Sequence, residues 1–194
     1  MARTIWIIPV LLLAPLIDVV TYAALHLAGH GGEPHASLLA LPVLIPIVFM
    51  LAIGEEAGWT GYVTDPLQGR FGALVASVIV AIPWWLAHIP SILEIGGSVT
   101  DIIWWFPAAI ALRILIMWLY NNTGRCLSAV VLFHTLLNVG RWLSYPAVGS
   151  HYDPAYQAVG DVVASVLAVA VVVIWGWRTL SRNTGSAPAR IPAG

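Results

Sequence analysis

The stretch LPVLIPIVFMLAIGEEAGWTGY, residues 41–62, decides the fold: an uncharged apolar run from Leu41 to Gly54 ends in two adjacent carboxylates, Glu55 and Glu56. An uncharged run of this kind belongs in hydrocarbon, and carboxylates at its end need a reason to be there. The rest of the chain agrees. Of 194 residues, 60% are hydrophobic and only 9% are charged, and the mean hydropathy is +0.89. A soluble domain would need far more charge to cover its surface, so the bilayer is the solvent. Net charge is −1 with no basic block, which excludes a nucleic-acid partner on electrostatic grounds. The single cysteine, Cys126, excludes an internal disulfide.

Working outward, six apolar segments of the length needed to cross ~30 Å of hydrocarbon recur near 5–28, 37–60, 72–93, 102–120, 127–143 and 158–178. Between them lie GHGGEPH, TDPLQGR, EIGGSVTD, NNTGRC and SYPAVGSHYDPAY, each a stop signal. The fold class is therefore all-α, a polytopic membrane helical bundle of about six transmembrane helices. Residues 1–178 form one transmembrane domain, and 179–194 read as a disordered cytoplasmic tail. With the N-terminus inside, Arg3, Arg70, Arg125, Arg178, Arg182 and Arg190 all face the cytoplasm, and Arg141 alone falls opposite. Positive charge collects on cytoplasmic flanks, so both termini are placed there. A cleaved signal peptide is the rival reading of the first segment, but its run contains Asp18 and no cleavage site stands out.

Ionisable groups within such segments are costly and usually face a bundle interior or a wet cavity. They are Asp18, Glu55, Glu56, His88, Arg113, His134 and Asp161. Asp18 and Asp161 stand alone and read as helix-packing groups. His26, His30, His35 and His151 fall at helix ends or in loops and need no special role. The others form a pattern: Glu55-Glu56 ends segment two, WWLAHIP puts His88 on segment three, and FHTLLN puts His134 and Asn138 on segment five. The i, i+4 spacing of His134 and Asn138 places both on one helix face. A carboxylate can act as general base toward water, an imidazole can move a proton, and an amide can donate to an oxyanion. Glu55, His88 and His134 could equally hold Zn2+ with a fourth position left for water. A proton relay in a small transporter would also account for buried Glu and His, though not for the asparagine.

These three stretches in this order resemble the CAAX prenyl endopeptidase and bacteriocin-processing (Abi) family of intramembrane proteases, whose motifs are EExxxR, FxxxH or WxxxH, and HxxxN. Here they read Glu55 to Thr60, Trp84 to His88 and His134 to Asn138, and the likeness covers about residues 45–140. GWxGY, LQxRFG and WLYNNTGR around them look like the bacterial branch, which implies a prokaryotic plasma membrane. The resemblance implies that Glu55 and His88 activate the attacking water, with Glu56 in support, while His134 and Asn138 stabilise the oxyanion. It implies a membrane-associated peptide or lipidated protein, prenylated CAAX-like or bacteriocin-type, as substrate. Both a zinc enzyme and a metal-free glutamate mechanism stay open, and nothing in the sequence selects an oligomeric state.

Thr60 departs from the family motif, which carries arginine there. An arginine four residues after Glu56 would share its helix face and form an ion pair; threonine offers only a hydroxyl. Three outcomes follow: Glu56 is protonated, Arg113 supplies the cation from segment four, or the chain is a non-catalytic immunity or peptide-binding protein on the same scaffold. Arg113 could instead snorkel or pair with Asp18. Depth sets a further puzzle. At ~1.5 Å per residue, His88 lies about 25 Å along from Phe71, whereas His134 lies only about 10 to 12 Å from Leu127, so straight helices starting there would not bring the two together.

Overall fold

The computed structural model describes residues 4–30, 38–144 and 154–182. Its helices are α1 (Ile7–Leu27), α2 (Leu41–Glu56), a π-helix (Ala57–Thr64), α3 (Asp65–Phe71), α4 (Ala73–Glu94), α5 (Val99–Asn122), α6 (Leu127–Ser144) and α7 (Pro154–Trp175). Five stretches are long and apolar enough to cross a membrane, Thr4–Leu27, Leu41–Phe71, Ala73–Glu94, Val99–Asn122 and Ala155–Trp175, with Leu127–Arg141 a shorter apolar helix. The protein is thus an integral membrane helical bundle, and no strand occurs among the described residues.

The second segment differs most from its expected bounds. TDPLQGR, read as a loop, is helical: the chain continues from α2 through the π-helix into α3, with Pro66 in the first turn of α3. The turn comes at Gly72, whose φ of 84° favours glycine, and α4 starts at once. At the other end of α4, Ser98 and Asp101 cap α5 reciprocally through backbone N–H to side-chain bonds of 2.7 and 3.3 Å. α5 forms the axis of the bundle, with fifteen buried residues from Trp105 to Asn122. It packs on α4 and α7, while α6 packs on α1 and α2. Residues 179 and 180, expected to open the tail, are held against the bundle. Leu180 is fully buried, and Asn121 and Asn122 donate to the carbonyls of Thr179 and Leu180 at 2.8 Å each. Residues 183–194, His35, His151 and the YPAVGSHYD loop lie outside the described residues.

Candidate active site

Adjacent residues on an α-helix point about 100° apart, so Glu55 and Glu56 leave the end of α2 in different directions. Glu55 is half-buried and lines a cleft of about 640 Å³ between the α2–π-helix unit and α4. Gly54, Gly58, Trp59, Tyr62 and His88 also line it. Glu56 turns inward and is fully buried. The π-helix that follows is built on AGWTGYVT, whose two glycines tolerate its wider turn, and Thr64 Oγ1 donates across five residues to the Trp59 carbonyl at 3.0 Å.

Two layers of polar groups result. In the outer one, Trp84 Nε1 donates to Glu55 Oε2 at 2.7 Å, and His88 Nδ1 donates to the Trp84 carbonyl at 2.8 Å. A carbonyl can only accept, so Nδ1 carries the proton and a neutral His88 has Nε2 as its acceptor. In the inner layer, Glu56 Oε1 accepts from Arg113 Nη1 at 2.8 Å and from His134 Nδ1 at 2.9 Å. Thr60 Oγ1 donates to Glu56 Oε2 and accepts from Arg113 Nη2 at 3.2 Å. Arg113 and His134 are each 2% exposed and Thr60 is 1% exposed, so this charge is shielded from bulk solvent. Of the outcomes open for Glu56, the structure shows the one in which Arg113 supplies the cation. Asp18 instead lies against Gly140 of α6, and Asp161 pairs with Arg141 at 3.5 Å.

Trp84 joins the layers and was legible in the sequence only as the aromatic position of WxxxH. It is 3% exposed. Its ring meets His88 at 5.0 Å and His134 at 6.0 Å, both edge-on, and lies 5.1 Å beneath the Arg113 guanidinium. This addresses the depth mismatch: His134 packs against the residue one turn before His88 on α4. The signal that could have found Trp84 is its indole N–H, which must find an acceptor inside an apolar span. Trp105 of α5, unmarked by any motif, closes the aromatic wall at 5.2 Å from Trp84 and 4.7 Å from His88. Asn138 stands one turn after His134 on α6, half-buried, and is not among the residues lining the cleft.

Chemically, the outer layer can bind and deprotonate a water, and the inner layer can hold an imidazole in one orientation. Among the described residues, no three His, Cys, Asp or Glu side chains are grouped so as to hold a metal ion. Glu55 and His88 share the cleft while His134 is turned onto Glu56, so this arrangement does not assemble the zinc set of Glu55, His88 and His134.

Comparison with known proteins adds two findings. A family profile described as "Type II CAAX prenyl endopeptidase Rce1-like" matches residues 36–140. The chain is also 30% identical over 110 residues to CAAX prenyl protease 2 of Methanococcus maripaludis, a match covering 51% of this chain and 41% of that protein. The matched part therefore spans about two fifths of the curated relative's length.

Proposed function

The chain belongs to the type II CAAX prenyl endopeptidase, Rce1-like, family, and on that premise we propose that it is an intramembrane endopeptidase. Its substrate is a membrane-associated peptide or lipidated protein, and a prenylated C-terminal segment is the form that the family and its archaeal relative favour. The observation that carries this reading is the cleft wall on which Glu55 and His88 stand side by side, both hydrogen-bonded to Trp84.

Glu55 takes a proton from water, with His88 Nε2 accepting the second hydrogen bond, and the water oxygen attacks the peptide carbonyl carbon. The family resemblance assigns the tetrahedral oxyanion to the Asn138 amide and His134, which stand behind the cleft and do not line it, so the substrate carbonyl has to reach past the Glu55 and His88 wall. With Nδ1 already donating to Glu56, His134 offers a donor at Nε2 only when the ring carries both protons. Collapse breaks the C–N bond, and the proton held by Glu55 passes to the leaving nitrogen. The Glu56, Thr60 and Arg113 group fixes the His134 ring and touches no reacting atom. In this reading Glu55 and His88 activate the water without a metal. Both termini face the cytoplasm in this reading, by the arginine distribution, in a prokaryotic plasma membrane.

The deciding experiment is cleavage of a prenylated peptide by purified protein in lipid, beside Glu55→Ala and His88→Ala. Each substitution is expected to lower kcat by about 10²- to 10⁴-fold, the range for a lost general acid or base. A chelator is expected to leave the rate unchanged. Full activity in either variant would overturn the peptidase reading, and loss of activity to chelator would overturn the metal-free one.

A further inference from the structure

The end of the bundle where α3, α5 and α7 finish and α4 begins carries Arg70, Arg125, Arg178 and Arg182. Arg125 is paired with Asp65 at 3.4 Å. Arg70, Arg178 and Arg182 are exposed, and none has a carboxylate within ion-pair reach among the described residues. Each guanidinium instead lies over an aromatic ring: Arg70 over Phe71 at 5.2 Å, Arg178 over Trp177 at 5.0 Å and Arg182 over Trp175 at 5.3 Å. Phe71 and Trp177 are themselves 42% and 49% exposed. Aromatic rings beside arginines at the end of a membrane bundle sit at headgroup depth.

The backbone under these arginines is fixed. Ala73 N–H and Leu74 N–H donate to the carbonyls of Arg178 and Trp177 at 2.8 and 3.0 Å, joining the Gly72 elbow to the end of α7. Asn121 and Asn122 hold the next two carbonyls, and Leu180 is buried between. Asn121 is also bonded to Gln68, two residues before Arg70 on α3. Arginines on a free chain end would have to be ordered on binding, whereas here their Cα positions are already set.

We propose that this surface is a seat for an anionic glycerophospholipid of the adjoining leaflet. The Arg70, Arg178 and Arg182 guanidiniums donate to its phosphate oxygens, and its acyl chains lie along the apolar flank that exposes Phe71 and Trp177. The planar donor fork of arginine matches a phosphodiester. Net negative charge is required, because a choline or ethanolamine headgroup brings its own cation to a surface that has three in excess. The seat stands apart from the cleft and holds whether or not the cleft hydrolyses peptides.

Native mass spectrometry of the intact protein, released from detergent with equimolar phosphatidylglycerol and phosphatidylcholine, tests this. The wild type is expected to retain phosphatidylglycerol preferentially. Arg70→Gln, Arg178→Gln and Arg182→Gln, combined stepwise, should cost about fivefold in that preference per arginine, equivalent to about 1 kcal/mol for each basic residue near an anionic surface. Equal retention of the two lipids by the wild type would overturn the proposal, as would an unchanged preference in the triple variant. If the triple variant does not fold, the wild type decides: its preference must fall as salt is raised, and a salt-insensitive preference overturns the proposal.

Discussion

Replacing Arg113 by methionine keeps a long apolar side chain on α5 but leaves the Glu56 carboxylate buried with no cation. The variant loses the 2.8 Å bond to Glu56 Oε1 and the 3.2 Å bond to Thr60, and it loses the guanidinium 5.1 Å over Trp84. Breaking a buried ion pair from one side costs about 3–5 kcal/mol, because the remaining charge is uncompensated. On the scale of soluble chains of this length, where 1 kcal/mol moves Tm by about 2–4 °C, that is a fall of roughly 6–20 °C in thermal unfolding followed by tryptophan fluorescence in detergent. Two further variants separate charge from packing. Glu56→Gln combined with Arg113→Met removes both charges and should be more stable than Arg113→Met alone, giving a coupling energy of about 0.5–3 kcal/mol in a double-mutant cycle. Thr60→Arg combined with Arg113→Met moves the cation onto the helix that bears Glu56, and it should recover part of the loss, since Thr60 Oγ1 already touches both partners. An unchanged Tm in Arg113→Met, or a cation at position 60 that recovers nothing, would refute the reasoning.

Two other outcomes follow from the geometry. Trp84→Phe keeps an aromatic ring between His88 and His134 but removes the N–H that Glu55 accepts; a hydrogen bond to a charged group is worth about 1.5–3 kcal/mol, so kcat should fall about 10- to 150-fold if that bond matters only for the reacting carboxylate, and Tm should fall by no more than about 3–12 °C. Gly140→Ala would drive a methyl carbon into the Asp18 carboxylate, displacing that side chain from its place between α1 and α6 at a cost of about 1–3 kcal/mol, which thermal unfolding would report as a drop of several degrees with Glu55 and His88 untouched.

Length and hydropathy made the bundle legible, because each apolar run had to become a helix once placed in hydrocarbon. The reading faltered at 65–71, where proline, aspartate and glycine signalled a loop; proline at a helix's first turn sends the same signal, and only the packed chain distinguishes the two. It also faltered at 179–182, polar in composition but held by asparagines on α5 fifty-eight positions earlier in the sequence. At the site, Glu55, Glu56, His88 and His134 were visible as charged or titratable groups in apolar segments. Arg113 stood out as the one arginine deep in a segment, which made it a candidate counter-ion before any coordinates. What the sequence could not convey was that His134 joins Glu56 in a buried pair, while Glu55 and His88 form a half-buried one that lines the cleft. That sorting depends on the direction in which α2 ends and on Trp84 lying between α4 and α6.

The Asn121 and Asn122 amides close over a chain end as a latch closes over a bolt. Pulled from its C-terminal side, α7 cannot leave the bundle until two side-chain bonds to α5 and two backbone bonds to the start of α4 have parted together. Their failure would be a single mechanical event at the membrane surface, ahead of any unwinding of α7 within the bilayer. α7 is thus secured against extraction by the residues that follow it.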